Sequence, residues 1–309
     1  VAANQEIHNE YGGVVPELAS RAHQQNIIPV VEKAFSKANI QQNDICAIGF
    51  TRGPGLLGSL LVGTSFAKSL AMSLGVPLIE VNHLQAHILA HFIDDANPIS
   101  PTFPFLCLTV SGGHTMIVLV KDYFEMEIIG KTIDDAAGEA FDKIGKIFDL
   151  DYPAGPIIDK LAKEGNPDAF QFNKPRMENY DYSFSGIKTS VLYFIQKEVR
   201  KNPDFIKENL NDLCASVQKS IIEILMNKLE KASVDLNIKD VAIAGGVSAN
   251  SALRKAMELN QEKLGWNIFI PKFEYTTDNA AMIAMVAKLK YERGEFTDIR
   301  TTATAKYDL

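Results

Sequence analysis

His83 and His87 stand four residues apart in the run Val81-Asn82-His83-Leu84-Gln85-Ala86-His87. Residues at i and i+4 share one helix face, so both imidazoles could reach a single metal ion. Two ordinary histidines on a half-buried helix fit the same spacing. A zinc metalloprotease would read His-Glu-x-x-His, with the glutamate as general base; Leu84 occupies that place here. His91 continues the face but lies about 6 Å further along the axis than His87, so it is not counted as a ligand.

Asp278, in Thr276-Thr277-Asp278-Asn279-Ala280-Ala281, could supply a carboxylate to the same ion. At a helix start it could equally be a plain cap, favoured by the helix dipole. Two imidazoles and one carboxylate would leave positions open for a substrate oxygen. Ser111-Gly112-Gly113 and Gly245-Gly246-Val247-Ser248-Ala249-Asn250 each follow a strand-like run. Glycine lets backbone N–H groups approach an anion or a flat base with no Cβ in the way, although ordinary tight turns use it too. Within Asp134 to Lys143, Glu139 and Asp142 share a helix face. They could bind ribose hydroxyls, assist a proton transfer or simply form a solvated acidic face. Tyr152-Pro153-Ala154-Gly155-Pro156 places Asp159 just beyond a rigid turn.

The elements that must position these groups alternate. Pro16 to Ala38 has helical spacing, Ile45 to Thr51 reads as a strand, and the glycine-rich turn Gly53 to Ser59 leads into a helix ending at Leu74. Pro77 to Val81 is the next strand and His83 to Phe92 the next helix, so an α/β layer is expected. Asp94 to Pro104, with three prolines, reads as a boundary. Phe105 to Val110 and Met116 to Val120 are strands flanking a hairpin turn. Asp134 to about Lys231 reads mostly helical, Val241 to Ala244 is a short strand, and a helix begins at Ser251. Asp278 to Arg293 is a last helix, with Thr276 or Thr277 as its N-cap. Residues 1–100 are expected to form an N-terminal lobe and 101–285 a C-terminal lobe with a helical insertion. A closing helix at about 286–309 would return to the first lobe.

The chain has 309 residues, 46% of them hydrophobic, enough for two domains or one two-lobed fold. A net charge of −7 argues against binding nucleic acid through overall charge. It leaves room for a local basic patch or a basic partner; Lys188, Lys197, Arg200 and Lys201 are candidates, or merely a solvated helix face. Cys46, Cys107 and Cys214 are odd in number and scattered, and read as reduced core residues in a reducing compartment. No apolar run is expected to approach the roughly 18–20 residues of a membrane span, and no signal peptide is recognisable. A cytoplasmic protein is expected. The first residue is Val, so an N-terminal piece is expected to be missing.

Taken together these runs resemble the TsaD-type tRNA N6-adenosine threonylcarbamoyltransferases, earlier labelled glycoproteases. The resemblance runs from Gly12-Gly13-Val14-Val15-Pro16-Glu17 through Gly53-Pro54-Gly55-Leu56, Asn82-His83, Ala86-His87 and Val110 to Thr115. It continues through Asp134 to Lys143, Tyr182-Ser183-Phe184-Ser185-Gly186-Ile187-Lys188-Thr189, Gly245 to Asn250 and Thr277 to Ala281. It implies the two-lobed actin-like ATPase (ribonuclease H-like) fold and one divalent metal, iron or zinc, held by His83, His87 and Asp278. It implies that Thr109, Val110, Ser111, Gly112, Gly113, Asp142, Gly155, Asp159 and Asn250 bind an adenylate, threonylcarbamoyl-AMP. The product would be threonylcarbamoyladenosine at position 37 of tRNAs reading codons that begin with A. TsaB-like and TsaE-like subunits would be partners, with a homodimer open to the isolated chain. The rivals are a metalloendopeptidase and a nucleotide-binding ATPase scaffold. Two departures stand out. The family's first strand and its Asp/Ser-rich turn would precede Val1. Ala154-Gly155 replaces a common Gly-Gly, and alanine takes a positive φ less cheaply.

Overall fold

The computed structural model describes residues 13–94, 100–175 and 177–309. Gly12 of the first family motif and residues 95–99 of the boundary segment lie outside them. The chain forms two compact units, the first from residues 1–95 with 279–309 and the second from 96–278.

The first unit opens with helix α1 (Pro16–Ala38), stopped by Asn39 in the left-handed region at φ 53°. Strand β1 (Ile48–Gly53), helix α2 (Leu57–Leu74) and strand β2 (Leu78–Asn82) form a parallel crossover, with Ile48 opposite Leu78. Contrary to the sequence expectation, α2 is long and apolar enough to cross a membrane by length and composition alone. The run is easily overlooked because Gly58, Ser59, Gly63, Thr64, Ser65, Lys68 and Ser69 interrupt it. Here α2 packs on β1 and α1, with Ala67 and Ala71 clustered against Phe50 and Leu78.

Helix α3 (His83–Leu89) follows β2 directly and finishes in a 3-10 turn at Ala90–Phe92, so the expected ten-residue helix is shorter.

The second unit is built on a five-stranded sheet of β3 (Phe105–Val110), β4 (Thr115–Asp122), β5 (Glu125–Lys131), β6 (Asp240–Ala244) and β7 (Asn267–Phe269). The order is β5-β4-β3-β6-β7. The first three strands are antiparallel, while β6 runs parallel to β3 and β7 parallel to β6. Every residue of β3 is buried, as a central strand covered on both faces requires. This is the sheet of the actin-like ATPase, ribonuclease H-like fold. Between β5 and β6 lie α4 (Ala137–Ile147), α5 (Ala154–Ala162), α6 (Ser185–Val199) and α7 (Phe205–Leu236). The stretch from Asp134 to about Lys231 is mostly helical, as expected, with a non-helical connection between α5 and α6 over residues 163–175 and 177–184. Helix α8 (Ser251–Leu264) follows β6, and the short α9 (Phe273–Thr276) follows β7. The core joins sheet and helices through residues such as Leu106, Leu108, Phe141, Ile144 and Trp266.

The last helix, α10 (Ala280–Glu292), belongs to the first unit and packs on α3, β1 and β2. Its N-cap is Asn279, whose side chain accepts from Met282 N at 2.9 Å, rather than either threonine. The expected closing helix at 286–309 stops at Glu292; Gly294, at φ 71°, turns the chain, and 294–309 has no helix. Cys107 and Cys214 are buried, and burial pushes both thiols up to about 12. Cys46 is exposed, so the expectation of three core thiols holds for two.

Candidate functional site

Asn82 sets the start of α3. Its Oδ1 accepts from Leu84 N at 2.9 Å and Gln85 N at 3.2 Å, satisfying two amides that the helix leaves open. His83 is therefore the first helical residue, and His87 lies one turn on. The two rings meet edge to face at 4.7 Å, with His83 half-buried and His87 only 4% exposed. Asp278 is the junction residue, the last of the second unit, bonded directly to Asn279. Because Asn279 caps α10, the helix start does not need the Asp278 carboxylate. One ligand atom from each of His83, His87 and Asp278 lies within 4.8 Å of the others, and His91 is not among them. Ligands bonded to zinc at about 2.0–2.2 Å stand roughly 3–3.5 Å apart, so the three groups are gathered on the scale of a metal site. Two imidazoles and a carboxylate suit zinc or iron alike.

The second constellation gathers at the C-terminal ends of β3 and β6, where ligands of open α/β sheets bind. Thr109 pairs with Ala244, which sets Val110-Ser111-Gly112-Gly113 beside the Gly245 run. Ser111 closes the hairpin turn. Its N–H donates to His114 O at 2.8 Å, and its Oγ accepts from His114 N at 3.0 Å. Helix α4 is pressed onto this turn, since a Cβ on Gly138 would lie 2.6 Å from Ser111 O. Thr115 Oγ1 fixes the same helix start by accepting from Ala137 N at 2.8 Å.

The glycines here divide into two kinds. Gly245, at φ 86°, passes so close to β3 that a Cβ would lie 2.5 Å from Val110 O. Around Gly112, Gly113 and Gly246 a Cβ would meet nothing within 4 Å, and none has a positive φ. The protein's own packing does not require glycine at those three positions. The backbone there is open enough for a phosphate or a flat base to approach closely, with the Gly113 N–H donating to Ser111 Oγ at 3.3 Å.

The remaining predicted residues form a frame beneath it. Asp142, on α4, accepts from Ala154 N at 2.8 Å at the start of α5, with Gly155 N as a second donor. Burial pushes its carboxyl above the usual range, against the pull of those two N–H groups. Asp159, on α5, accepts from Ser251 Oγ at 2.7 Å and Ser251 N at 3.2 Å at the start of α8. Asn250 caps α8 through Ala252 N and Leu253 N, both at 3.0 Å, and donates to Gln218 Oε1 at 2.6 Å. Glu139 stands apart, bonded to Lys143 at 2.8 Å. Ala154 sits in the first turn of α5 without a positive φ, so its substitution for glycine carries no backbone cost. Its methyl instead occupies the space that makes Gly145 necessary.

Two groups escaped the sequence reading. Asp134 accepts from Ser183 Oγ at 2.6 Å, Ser185 Oγ at 2.7 Å and Phe184 N at 2.8 Å, capping α6 from outside. Burial alone would raise its carboxyl, but these donors more than offset that and hold it below the usual range. Ser248, in the Gly245 run, is fully buried and its Oγ has no hydrogen-bond partner. Among the basic candidates Lys188 is half-buried, Lys197 and Arg200 are exposed, and Lys201 pairs with Glu198 at 2.7 Å.

The model of the family described as TsaD, tRNA N6-adenosine threonylcarbamoyltransferase, matches residues 1–285. The Riemerella anatipestifer protein of that name is 83% identical over 309 residues, covering 100% of this chain and 91% of that protein. This chain belongs to the TsaD family. The Christiangramia forsetii member is 61% identical over 307 residues, covering 99% of this chain and 90% of that one. Full-length HypF, solved in a phosphate- and nucleotide-bound form, superposes with a TM-score of 0.58 at 13% identity. The match covers 87% of this TsaD chain and 42% of HypF, and it shows a shared fold.

Proposed function

We propose that this chain transfers the threonylcarbamoyl group from threonylcarbamoyl-AMP to N6 of adenosine 37 in tRNAs reading codons that begin with A. The observation that carries this is 83% identity, along its whole length, to a protein named for that transfer. The N6 lone pair attacks the carbamoyl carbon, the bond from that carbon to the phosphate oxygen breaks, AMP leaves and N6 loses a proton. The open backbone at Gly112, Gly113 and Gly246 receives the adenylate. Asp142, Gly155, Asp159 and Asn250 hold that surface in shape and contact the nucleoside. Thr109 and Val110 form the strand end from which the turn departs. His83, His87 and Asp278 would hold a divalent ion, which when bound supplies positive charge for the phosphate leaving group. Fixing both reactants relative to one another contributes the rest of the rate.

The two compact units are the two lobes of this enzyme. It works in the cytoplasm with tRNA and with TsaB-like and TsaE-like subunits, which compensate for a net charge of −7. The endopeptidase reading fails on Leu84, which stands where that chemistry needs a glutamate. The test supplies threonylcarbamoyl-AMP, unmodified tRNA and partner subunits. Wild-type chain should form threonylcarbamoyladenosine, and His83→Ala, folded by circular dichroism, should not. Full activity in that variant would overturn the metal role; no product from wild type would overturn the transferase reading.

A further inference from the structure

The segment 297–308 of the first unit runs back along β1 and β2 and ends on the cap of α3. Thr297 N donates to Leu78 O at 2.7 Å, and Thr304 N to Arg52 O at 2.9 Å. The approach is close enough that a Cβ on Gly53 would lie 2.2 Å from Thr304 O. Tyr307 anchors the far end. Its ring lies 4.9 Å from the Arg52 guanidinium, and its hydroxyl donates to Glu80 Oε1 at 2.9 Å. Arg52 in turn bonds the Glu80 carboxylate at 2.9 and 3.1 Å. The same strand end also holds α10, because Lys290 Nζ donates to Glu80 O at 3.0 Å.

Asn82 joins this segment to the helix that carries both histidines. Its Oδ1 caps α3, while its Nδ2 donates to Asp308 O at 2.8 Å and Tyr307 O at 3.3 Å. The residue is 5% exposed, so water has little access to replace a lost partner. Helix α3 has only seven residues, too few to hold its own shape or direction without its neighbours. His83 is the residue next to the cap, so a tilt of the first turn moves its ring directly.

We propose that Asn82 is a positioning residue for the metal ligands. Its amide pins segment 297–308 to the first turn of α3, and the Arg52–Glu80–Tyr307 cluster keeps that segment in place. The inference rests on the metal reading of His83, His87 and Asp278. Groups that orient metal ligands from behind typically change metal affinity 10- to 100-fold when removed.

Cobalt(II) is the probe, titrated into the full chain and read by its visible absorption. Asn82→Ser keeps a cap acceptor for Leu84 N and Gln85 N but is too short, and lacks the amide, to reach residues 307 and 308. Tyr307→Ala frees the far end of the segment, where it meets Asn82, while leaving Asn82 itself intact. Both should raise the Kd for cobalt roughly tenfold or more and shift the absorption band, with metal-free melting within a few degrees of wild type. Wild-type affinity and spectrum in either folded variant would overturn the proposal. Should Asn82→Ser fail to fold, Tyr307→Ala decides alone. His87→Ala separates the two readings. Wild type that binds no cobalt, or binds it equally without His87, removes the metal site and the pin together. Cobalt binding that needs His87 but is indifferent to the pin variants removes the pin only.

Discussion

His83 and His87 are placed by one seven-residue helix whose cap is the residue before it. The proposed adenylate cradle needs two strand ends, the starts of α4, α5 and α8, and carboxylates that tie those starts together. The histidine pair is therefore a local device completed by one residue from elsewhere in the chain. The cradle is a long-range assembly in which most polar side chains are already engaged in holding backbone. What the cradle offers to a ligand is its backbone, at three glycines whose Cβ positions are empty. Substitutions should accordingly act differently in the two regions: at the histidines on chemistry, at the cradle on binding or on the fold, depending on which glycine is touched.

The largest effect is expected at the histidines. His87→Ala, or removal of metal by a chelator, should lower threonylcarbamoyl transfer at least a hundredfold, the upper end of what a supporting residue alone costs. Transfer assays before and after chelation and metal return would check it. The next contrast lies within the cradle. Gly245→Ala meets both a glycine-only backbone conformation, costing roughly 1–3 kcal/mol, and the Val110 carbonyl at 2.5 Å. It should lower the melting temperature sharply. Gly112→Ala meets nothing within 4 Å, so its stability should stay within about 0.5 kcal/mol of wild type. Its KM for the adenylate should nevertheless rise. Equal melting temperatures for the two variants would erase the distinction.

Asp134→Ala removes a carboxylate with three close donors and should cost about 1–3 kcal/mol at neutral pH. The Asp134 carboxyl is held below its unfolded value. Its contribution is thus full above the ordinary carboxylate range near pH 4 and lost as pH falls through the lower folded value. Asp134→Asn should flatten that acid limb in denaturant melts. Asp142 has the opposite sign, because burial raises it. Its contribution is full below the ordinary carboxylate value and declines as pH rises through the higher folded one. Asp142→Asn should therefore melt no lower than wild type at pH 7 while binding the adenylate less well. A clear loss of stability at pH 7 would show that its bonds to α5 outweigh the cost of its charge.

Much of this was legible in the sequence because it is local. The i,i+4 histidines, the strand-turn-strand run at Ser111 and the glycines at 245–246 all announce themselves within ten residues. The links between segments do not. Asp134 and Ser183 are 49 residues apart, and Asn82 and Asp308 are 226 apart, so neither pairing has a periodicity to read. Strands β5 and β7 were missed because they are the edges of the sheet, one half exposed and one only three residues long. An acidic residue suits a helix start, so Asp278 reads equally well as a cap; only the Asn279 side chain, bonded to Met282 N, settles which residue caps. The apolar length of α2 was hidden by small polar residues, and the exposure of Cys46 by its apolar neighbours Ile45 and Ala47.

The most direct test of the account is a crystal structure of the metal-loaded chain with a non-hydrolysable threonylcarbamoyl-adenylate analogue, the metal located by anomalous scattering. The account predicts one metal ion bonded to His83, His87 and Asp278, with the analogue on the backbone of Gly112, Gly113 and Gly246. A metal bound through other residues, or an analogue seated away from both glycine turns, would contradict it.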